Sequence, residues 1–178
     1  MGRDPRPQSR TSELDMDQEA FQHFYEGTAA GLRRYLRHVL GDRDLADDIF
    51  QEAFFRMLKA NLPAGMDFAH QKNYLYKIAT NLMHDHRKAR RFDSLPEGYE
   101  SSVVTAPDEV HDVQQAFGQL RMKERNLLWL AYVECYRHDE IAALVDTTTG
   151  SVRPMLARAR EKLRRLLSNK PKEGTHEQ

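Results

Sequence analysis

The side chains of this chain that could do chemistry fall into blocks of like charge. From Asp42 to Glu52 there are five acids and one base, Arg43, whereas from Arg153 to Lys172 there are eight bases and one acid, Glu161. A second basic run lies mid-chain, from Arg87 to Arg91. The totals cancel, 27 Lys and Arg against 27 Asp and Glu, so distribution rather than net charge carries the information. There is no glycine-rich phosphate cradle and no paired acid–base site. Cys135 and His138 share an i,i+3 spacing, but a structural zinc site needs about four ligands, and His84 and His86 would point to different sides of a helix. The sequence therefore predicts no catalytic residues, no metal site and no cofactor, and Cys135 is expected to be a buried small hydrophobe. What remains is recognition chemistry. Carboxylates repel phosphate and suit a basic protein surface, while Lys and Arg attract phosphate and Asn reads base edges.

Three helical segments must present these groups. At about 100° per residue, Leu45, Ala46, Ile49, Phe50, Ala53, Phe54 and Met57 fill one half of the wheel. Asp44, Asp47, Asp48, Gln51 and Glu52 fill most of the other half, with Phe55 and Leu58 among them. The acids are expected to lack i,i+4 basic partners, which suits a docking surface of apolar anchors with an acidic rim. In the segment 71–91 the apolar arc is Leu75, Ile78, Ala79, Leu82 and Met83, flanked by Tyr74 and Tyr76. Its outer arc carries Lys77, Thr80, Asn81, His84, Arg87, Lys88 and Arg91, and Tyr74 could stack on an unpaired base. The segment 150–168 puts Val152, Met155, Leu156, Ala159, Leu163, Leu166 and Leu167 on one face, and Ser151, Arg153, Arg158, Arg160, Lys162, Arg164 and Arg165 elsewhere. It follows the turn DTTTG, and a helix, a short turn and a basic helix make a helix-turn-helix whose second helix enters the major groove.

The supporting architecture is all-α, with almost no strand signal. Helices are expected at about 16–26, 29–40, 43–60, 71–91, 108–119, 122–134, 137–145 and 150–168, with breaks at Gly27 and Gly41 and an N-cap at Asp42. Residues 92–107, with two prolines, a glycine and three serines, have linker composition. Two small helical domains, 16–91 and 108–170, are thus expected on a flexible linker, 92–107, between an arm at 1–15 and a tail at 171–178. With nine per cent aromatic residues the core should be mostly aliphatic. The longest apolar run, Leu127–Val133, is too short to span a bilayer. The single cysteine allows no internal disulfide and fits a cytoplasmic location.

In combination these segments resemble the extracytoplasmic-function (group IV) sigma factors of bacterial RNA polymerase, over about residues 20–168. DLADDIFQEAF resembles the region 2 helix that docks on core enzyme, NYLYKIATNLMHDHRKARR the promoter-melting and −10-reading helix, and HDEIAALVDTTTGSVRPMLARAREKL the region 4 helix-turn-helix that reads the −35 element. The resemblance implies a promoter-specificity subunit that is not an enzyme. Its partners would be RNA polymerase core, through the β′ coiled coil and the β flap, promoter DNA, and an anti-sigma factor as a candidate. By the same resemblance Asp47, Asp48, Gln51, Glu52 and Phe55 bind core. Tyr74, Lys77, Asn81, His84, Arg87, Lys88 and Arg91 meet −10 DNA, the loop 61–69 captures a flipped base, and Ser151, Arg153 and Arg158 meet −35 DNA. The chain departs from the family where Tyr74 replaces a usual tryptophan, where DTTTG replaces a glycine-valine-proline type of turn, and at Pro154 and Met155. Two other readings stay open: a sigma mimic that sequesters an anti-sigma factor, which would not need the basic faces, and a stand-alone helix-turn-helix repressor, which would not need the acidic helix.

Overall fold

The computed structural model describes residues 18–60, 62–63, 65–92 and 108–168, without the side chains of 90–92 and 108–111. The arm at 1–15, all but the first residue of the linker 92–107, and the tail at 171–178 lie outside the described residues. Seven helices are found among the described residues: α1 (Gln18–Leu40), α2 (Arg43–Lys59), α3 (Phe68–Phe92), α4 (Asp108–Gly118), α5 (Met122–Tyr132), α6 (His138–Leu144) and α7 (Thr149–Ser168).

The expected break at Gly27 does not occur, and the two predicted N-terminal helices are one. Glycine costs a helix interior about 1 kcal/mol relative to alanine, but here close packing requires it. A Cβ on Gly27 would lie 3.0 Å from the Phe68 ring, and one on Gly31 would lie 3.5 Å from the Tyr76 hydroxyl. Gly27 lets α3 approach α1 closely, whereas a Cβ at Gly31 would make only an ordinary contact, and the buried stripe of Phe24, Leu32, Tyr35, Leu36 and Val39 runs through the glycine positions without interruption. The true stop is Gly41, at φ 72°, whose N–H returns to the carbonyl of Arg37 at 3.0 Å. Asp42 then caps α2, its carboxylate accepting from the Leu45 N–H at 3.0 Å.

The α1–α2–α3 core is less aliphatic than composition predicts. Phe24, Phe50, Phe54 and Phe68 gather with Tyr25, with ring centroids 4.9 Å apart for Phe50 and Phe54 and 4.8 Å for Tyr25 and Phe54. Among the C-terminal helices, α5 is apolar nearly all round: Leu127, Leu128, Trp129 and Leu130 are all buried, as expected for a helix with neighbours on more than one side. It packs against α7 and α6, and also against α1. Cys135 is exposed rather than buried, and it occupies a left-handed position, φ 57°, in the turn between α5 and α6. The turn between α6 and α7 is made by Asp146 at φ 56°, and Gly150 lies inside α7, which begins one residue earlier than expected.

The two helical sets touch. The Tyr35 hydroxyl of α1 donates to Asn126 Oδ1 of α5 at 2.7 Å, and Thr80 of α3 completes this buried group at 3.1 Å from Tyr35. Thr80 was expected on the outer arc of its helix and is instead fully buried. The buried Arg125 guanidinium donates to the carbonyls of Val39 and Leu40 at the end of α1, to that of Gly118 at the end of α4 and to that of Leu120 just beyond it. It thereby satisfies helix-terminal carbonyls that have no partner within their own helix.

Candidate polymerase and nucleic-acid interfaces

The acidic face of α2 is built by its own amphipathic pattern. Ala46, Ile49, Phe50, Ala53, Phe54 and Met57 turn inward, which forces the intervening residues out. Asp48 and Gln51 are exposed, Phe55 is 51 % exposed and Leu58 41 %. The expectation that the acids lack basic partners holds only in part. Asp47 lies 3.2 Å from Arg37 and 3.8 Å from Arg33 of α1, and Glu52 pairs with Arg56 one turn on at 2.7 Å. Asp48, like Asp44, is exposed and makes no ion pair among the described residues, so both charges are offered outward. Lys59 sits 3.9 Å from the centre of the Phe55 ring, holding that ring at the surface.

On α3 the expected −10 residues do not share one environment. Tyr74, Asn81 and Lys88 are exposed, whereas Tyr76, which flanks the same arc in sequence, is fully buried. Lys77 donates to the carbonyl of Ala143 at 2.6 Å and to that of Leu144 at 3.3 Å. His84 and Arg87 are half-buried, and the side chain of Arg91 lies outside the described residues. Burial pushes the His84 imidazole below its usual range, with Lys123, Arg87, Lys88 and Lys77 acting in the same direction, so it is neutral near pH 7. Of the loop 61–69, positions 61 and 64 lie outside the described residues. The remainder is an ordered turn: Gln71 donates to the Met66 carbonyl at 2.9 Å, and Asp67 accepts from the His70 N–H at 2.8 Å. That backbone bond holds the Asp67 carboxyl below the ordinary carboxylate range.

The helix-turn-helix is α6 and α7. Val152, Leu156 and Ala159 anchor α7, with Met155, Leu163 and Leu166 partly buried, while Leu167, expected on the same stripe, is 37 % exposed. Arg153 and Arg158 are exposed, Arg158 folding back to the Pro154 carbonyl at 3.3 Å. Ser151 is half-buried, its hydroxyl 2.7 Å from that of Thr148. Pro154 is accommodated inside the helix, where it removes one backbone donor. Lys162 pairs with Glu124 of α5 at 2.8 Å, tying α7 to its support.

Sequence reasoning missed the residues that join the two helical sets: Tyr35, Lys72, Arg125, Asn126 and Glu134. The available signal was Arg125 and Asn126 directly ahead of the apolar run Leu127–Val133. Polar side chains entering a helix that is apolar on all sides must find buried partners.

Among the described residues the all-α arrangement carries an acidic face on α2 and basic residues on α3 and α7, the latter the second helix of a helix-turn-helix, the charge distribution of a protein built to meet both another polypeptide and nucleic acid. Residues 24–92 match the Sigma-70 region 2 family and residues 111–163 the Sigma-70 region 4 family. Among curated proteins the chain is 29 % identical over 143 residues to the ECF RNA polymerase sigma factor EcfG of Rhodopseudomonas palustris, covering 76 % of this chain and 78 % of that one. It is 26 % identical over 149 residues to the ECF RNA polymerase sigma factor SigL of Mycobacterium tuberculosis, covering 79 % and 84 %. The fold is that of the sigma factor RpoE of Bartonella quintana, solved in complex with the anti-sigma factor NepR (TM-score 0.71, 19 % identity, 86 % of this chain and 99 % of that one). It is also that of CnrH, solved with the cytosolic domain of CnrY (TM-score 0.63, 23 % identity, 87 % and 92 %). The chain belongs to the extracytoplasmic-function sigma factors of bacterial RNA polymerase. Its function is that of the family, promoter-directed transcription initiation. No helix among the described residues is long and apolar enough to cross a membrane.

Proposed function

We propose that the chain divides initiation between two domains, 16–91 and 108–170, on the linker 92–107, and acts in the cytoplasm without catalysing a reaction of its own. Asp48 and Gln51, with Glu52 and Phe55, form the surface for the basic β′ coiled coil of core polymerase, and Asp47 braces that surface from the side through Arg33 and Arg37. Tyr74, Lys77, Asn81, His84, Arg87, Lys88 and Arg91 take single-stranded −10 DNA, with the loop 61–69 receiving a flipped base. Ser151, Arg153 and Arg158 take −35 duplex. Two modest DNA contacts on one tether raise overall affinity through effective concentration. An anti-sigma factor, which accompanies the solved sigma factor RpoE of Bartonella quintana, is a candidate partner here too. The observation that carries this reading is the exposed, unpaired Asp48 beside a half-exposed Phe55, in the same chain as the exposed Arg153 and Arg158.

The test is reconstitution with purified core enzyme. The wild-type chain should support promoter-dependent transcription. Asp48→Lys with Glu52→Lys should abolish core binding while leaving the circular dichroism spectrum unchanged. Arg153→Ala with Arg158→Ala should spare core binding and lose duplex affinity. Wild-type core binding by the charge-reversed chain would refute the assignment of the acidic face.

A further inference from the structure

Near its start α7 carries the two residue types least suited to a helix interior, Gly150 and Pro154, one turn apart. Nothing inside the molecule requires either. At Gly27 a neighbouring ring explains the glycine, but a Cβ at Gly150 would meet nothing within 4 Å. Nor does the backbone demand glycine there, since the glycines with positive φ among the described residues are Gly41 and Gly65. Pro154 is exposed, so no burial of its ring offsets its effect on the helix. Residues that break a local rule with no internal gain point to a site where function sets the choice. Both act on one atom. In an α-helix the N–H of residue 154 would donate to the carbonyl of residue 150. Proline has no N–H, and its ring crowds that carbonyl. At about 100° per residue the two positions lie about 40° apart on the wheel, on the side opposite the buried Val152, Leu156 and Ala159. The Gly150 carbonyl therefore opens on the outer face, between the exposed Arg153 and Arg158. Arg158 turns back to this segment, its Nε donating to the Pro154 carbonyl at 3.3 Å. The Ser151 hydroxyl is engaged 2.7 Å away with that of Thr148.

We propose that Gly150 and Pro154 together make a main-chain reader in the recognition helix: the Gly150 carbonyl accepts a hydrogen bond from the exocyclic amine of one adenine or cytosine in the −35 major groove. This inference rests on the proposed −35 role of α7. A carbonyl is an acceptor only, and so is a phosphate oxygen, so the two cannot bond. In the major groove the donors are adenine N6 and cytosine N4, whereas guanine and thymine offer acceptors. Water serves the carbonyl while the helix is free. Against a duplex the water is displaced, and a base without an amine leaves the carbonyl unpaired. Glycine supplies the access, because no Cβ stands between the backbone and the base edge. Arg153 and Arg158 supply attraction and their own base or phosphate contacts on either flank.

The experiment selects promoter duplexes, randomised over the −35 region, with the full-length chain assembled on core polymerase. Wild type, Gly150→Ala and Pro154→Ala are compared. Wild type should enrich an adenine or a cytosine at one position, and both variants should lose that preference while keeping the others. Pro154→Ala acts by returning an N–H to the Gly150 carbonyl, and Gly150→Ala by placing a methyl group in front of it. Both should melt at or above the wild-type temperature, because alanine is the better helix former. The selected duplex is then remade with purine in place of that adenine, or 2-pyrimidinone in place of that cytosine, which deletes only the amine. Wild-type affinity should fall about tenfold, and that of Pro154→Ala by less than about twofold. The salt dependence of binding should be unchanged, since no phosphate contact is altered. Unaltered preferences in both variants would overturn the proposal, and so would equal sensitivity of wild type and Pro154→Ala to loss of the amine. A lower melting temperature for Gly150→Ala with unaltered preferences would assign the glycine to easing the proline ring, and would overturn it too. If wild type on core enriches no −35 sequence at all, the −35 assignment of α7 fails, and the reader fails with it.

Discussion

Replacing Arg125 with methionine keeps most of the side-chain volume and removes the guanidinium. That group is 6 % exposed and donates to four carbonyls, at 2.7 Å to Val39, 3.2 Å to Leu40, 3.0 Å to Gly118 and 2.7 Å to Leu120. A hydrogen bond from a charged donor contributes about 1.5–3 kcal/mol, and a buried acceptor left unpaired costs about 1–3 kcal/mol. Four such bonds would sum to about 6–12 kcal/mol, comparable to a domain's whole stability, but they share one donor group and are not additive. Some carbonyls will also recruit water once the guanidinium is gone. The desolvation cost of the buried cation disappears too, which offsets part of the loss. The expected net destabilisation is about 3–5 kcal/mol, the range for breaking a buried charged network. For a chain of this size that corresponds to a fall in Tm of about 6–20 °C. Urea denaturation followed at 222 nm gives the free energy, and Arg125→Lys serves as the control. One ammonium cannot reach four carbonyls spread over two helix ends, so lysine should recover only a minor part of the loss. A loss under about 1 kcal/mol for methionine would mean that water or other groups already serve these carbonyls, and would refute the view that Arg125 staples α1 to the turn after α4.

Gly27→Ala should destabilise despite alanine's better helix propensity, because its Cβ would meet the Phe68 ring at 3.0 Å; the overpacking cost of about 1–3 kcal/mol exceeds the gain of about 1 kcal/mol. Truncating Phe68 to Leu in the Gly27→Ala background should restore part of the difference in thermal melts. Asp146→Gly should raise stability by about 1 kcal/mol, since Asp146 holds φ 56° and glycine reaches that region without strain. A fall in Tm would show that the Asp146 side chain contributes more than its backbone costs. The depressed His84 imidazole, half-buried and facing Lys123, Arg87, Lys88 and Lys77, opposes folding when charged. Its stabilising contribution is therefore fully present above the unfolded value of about 6.5 and is lost as pH falls through the lower folded value. His84→Gln should flatten this part of the pH–stability curve measured by urea denaturation, and an unchanged slope would assign it elsewhere.

The sequence alone determined the helices that carry function, because their signals are local. The period of α2 separates Ile49, Ala53 and Met57 from Asp48, Gln51 and Phe55, the period of α7 separates Val152, Leu156 and Ala159 from Arg153 and Arg158, and an Asp N-cap and a left-handed glycine mark the boundary between α1 and α2. Hydrophobic periodicity reports which face is inside, and it does so before any partner helix is known. What lies across the interface was decided only by tertiary structure. Gly27 reads as a break and is a packing notch for Phe68, Thr80 reads as surface and bonds Tyr35, and Cys135 reads as core and sits in an exposed left-handed turn. Lys77 reads as a free phosphate ligand, yet it meets two carbonyls at a sequence distance of more than sixty residues. Such pairings depend on which helix ends the fold brings together. A polar residue's own sequence neighbourhood carries no record of the distant backbone group that will satisfy it.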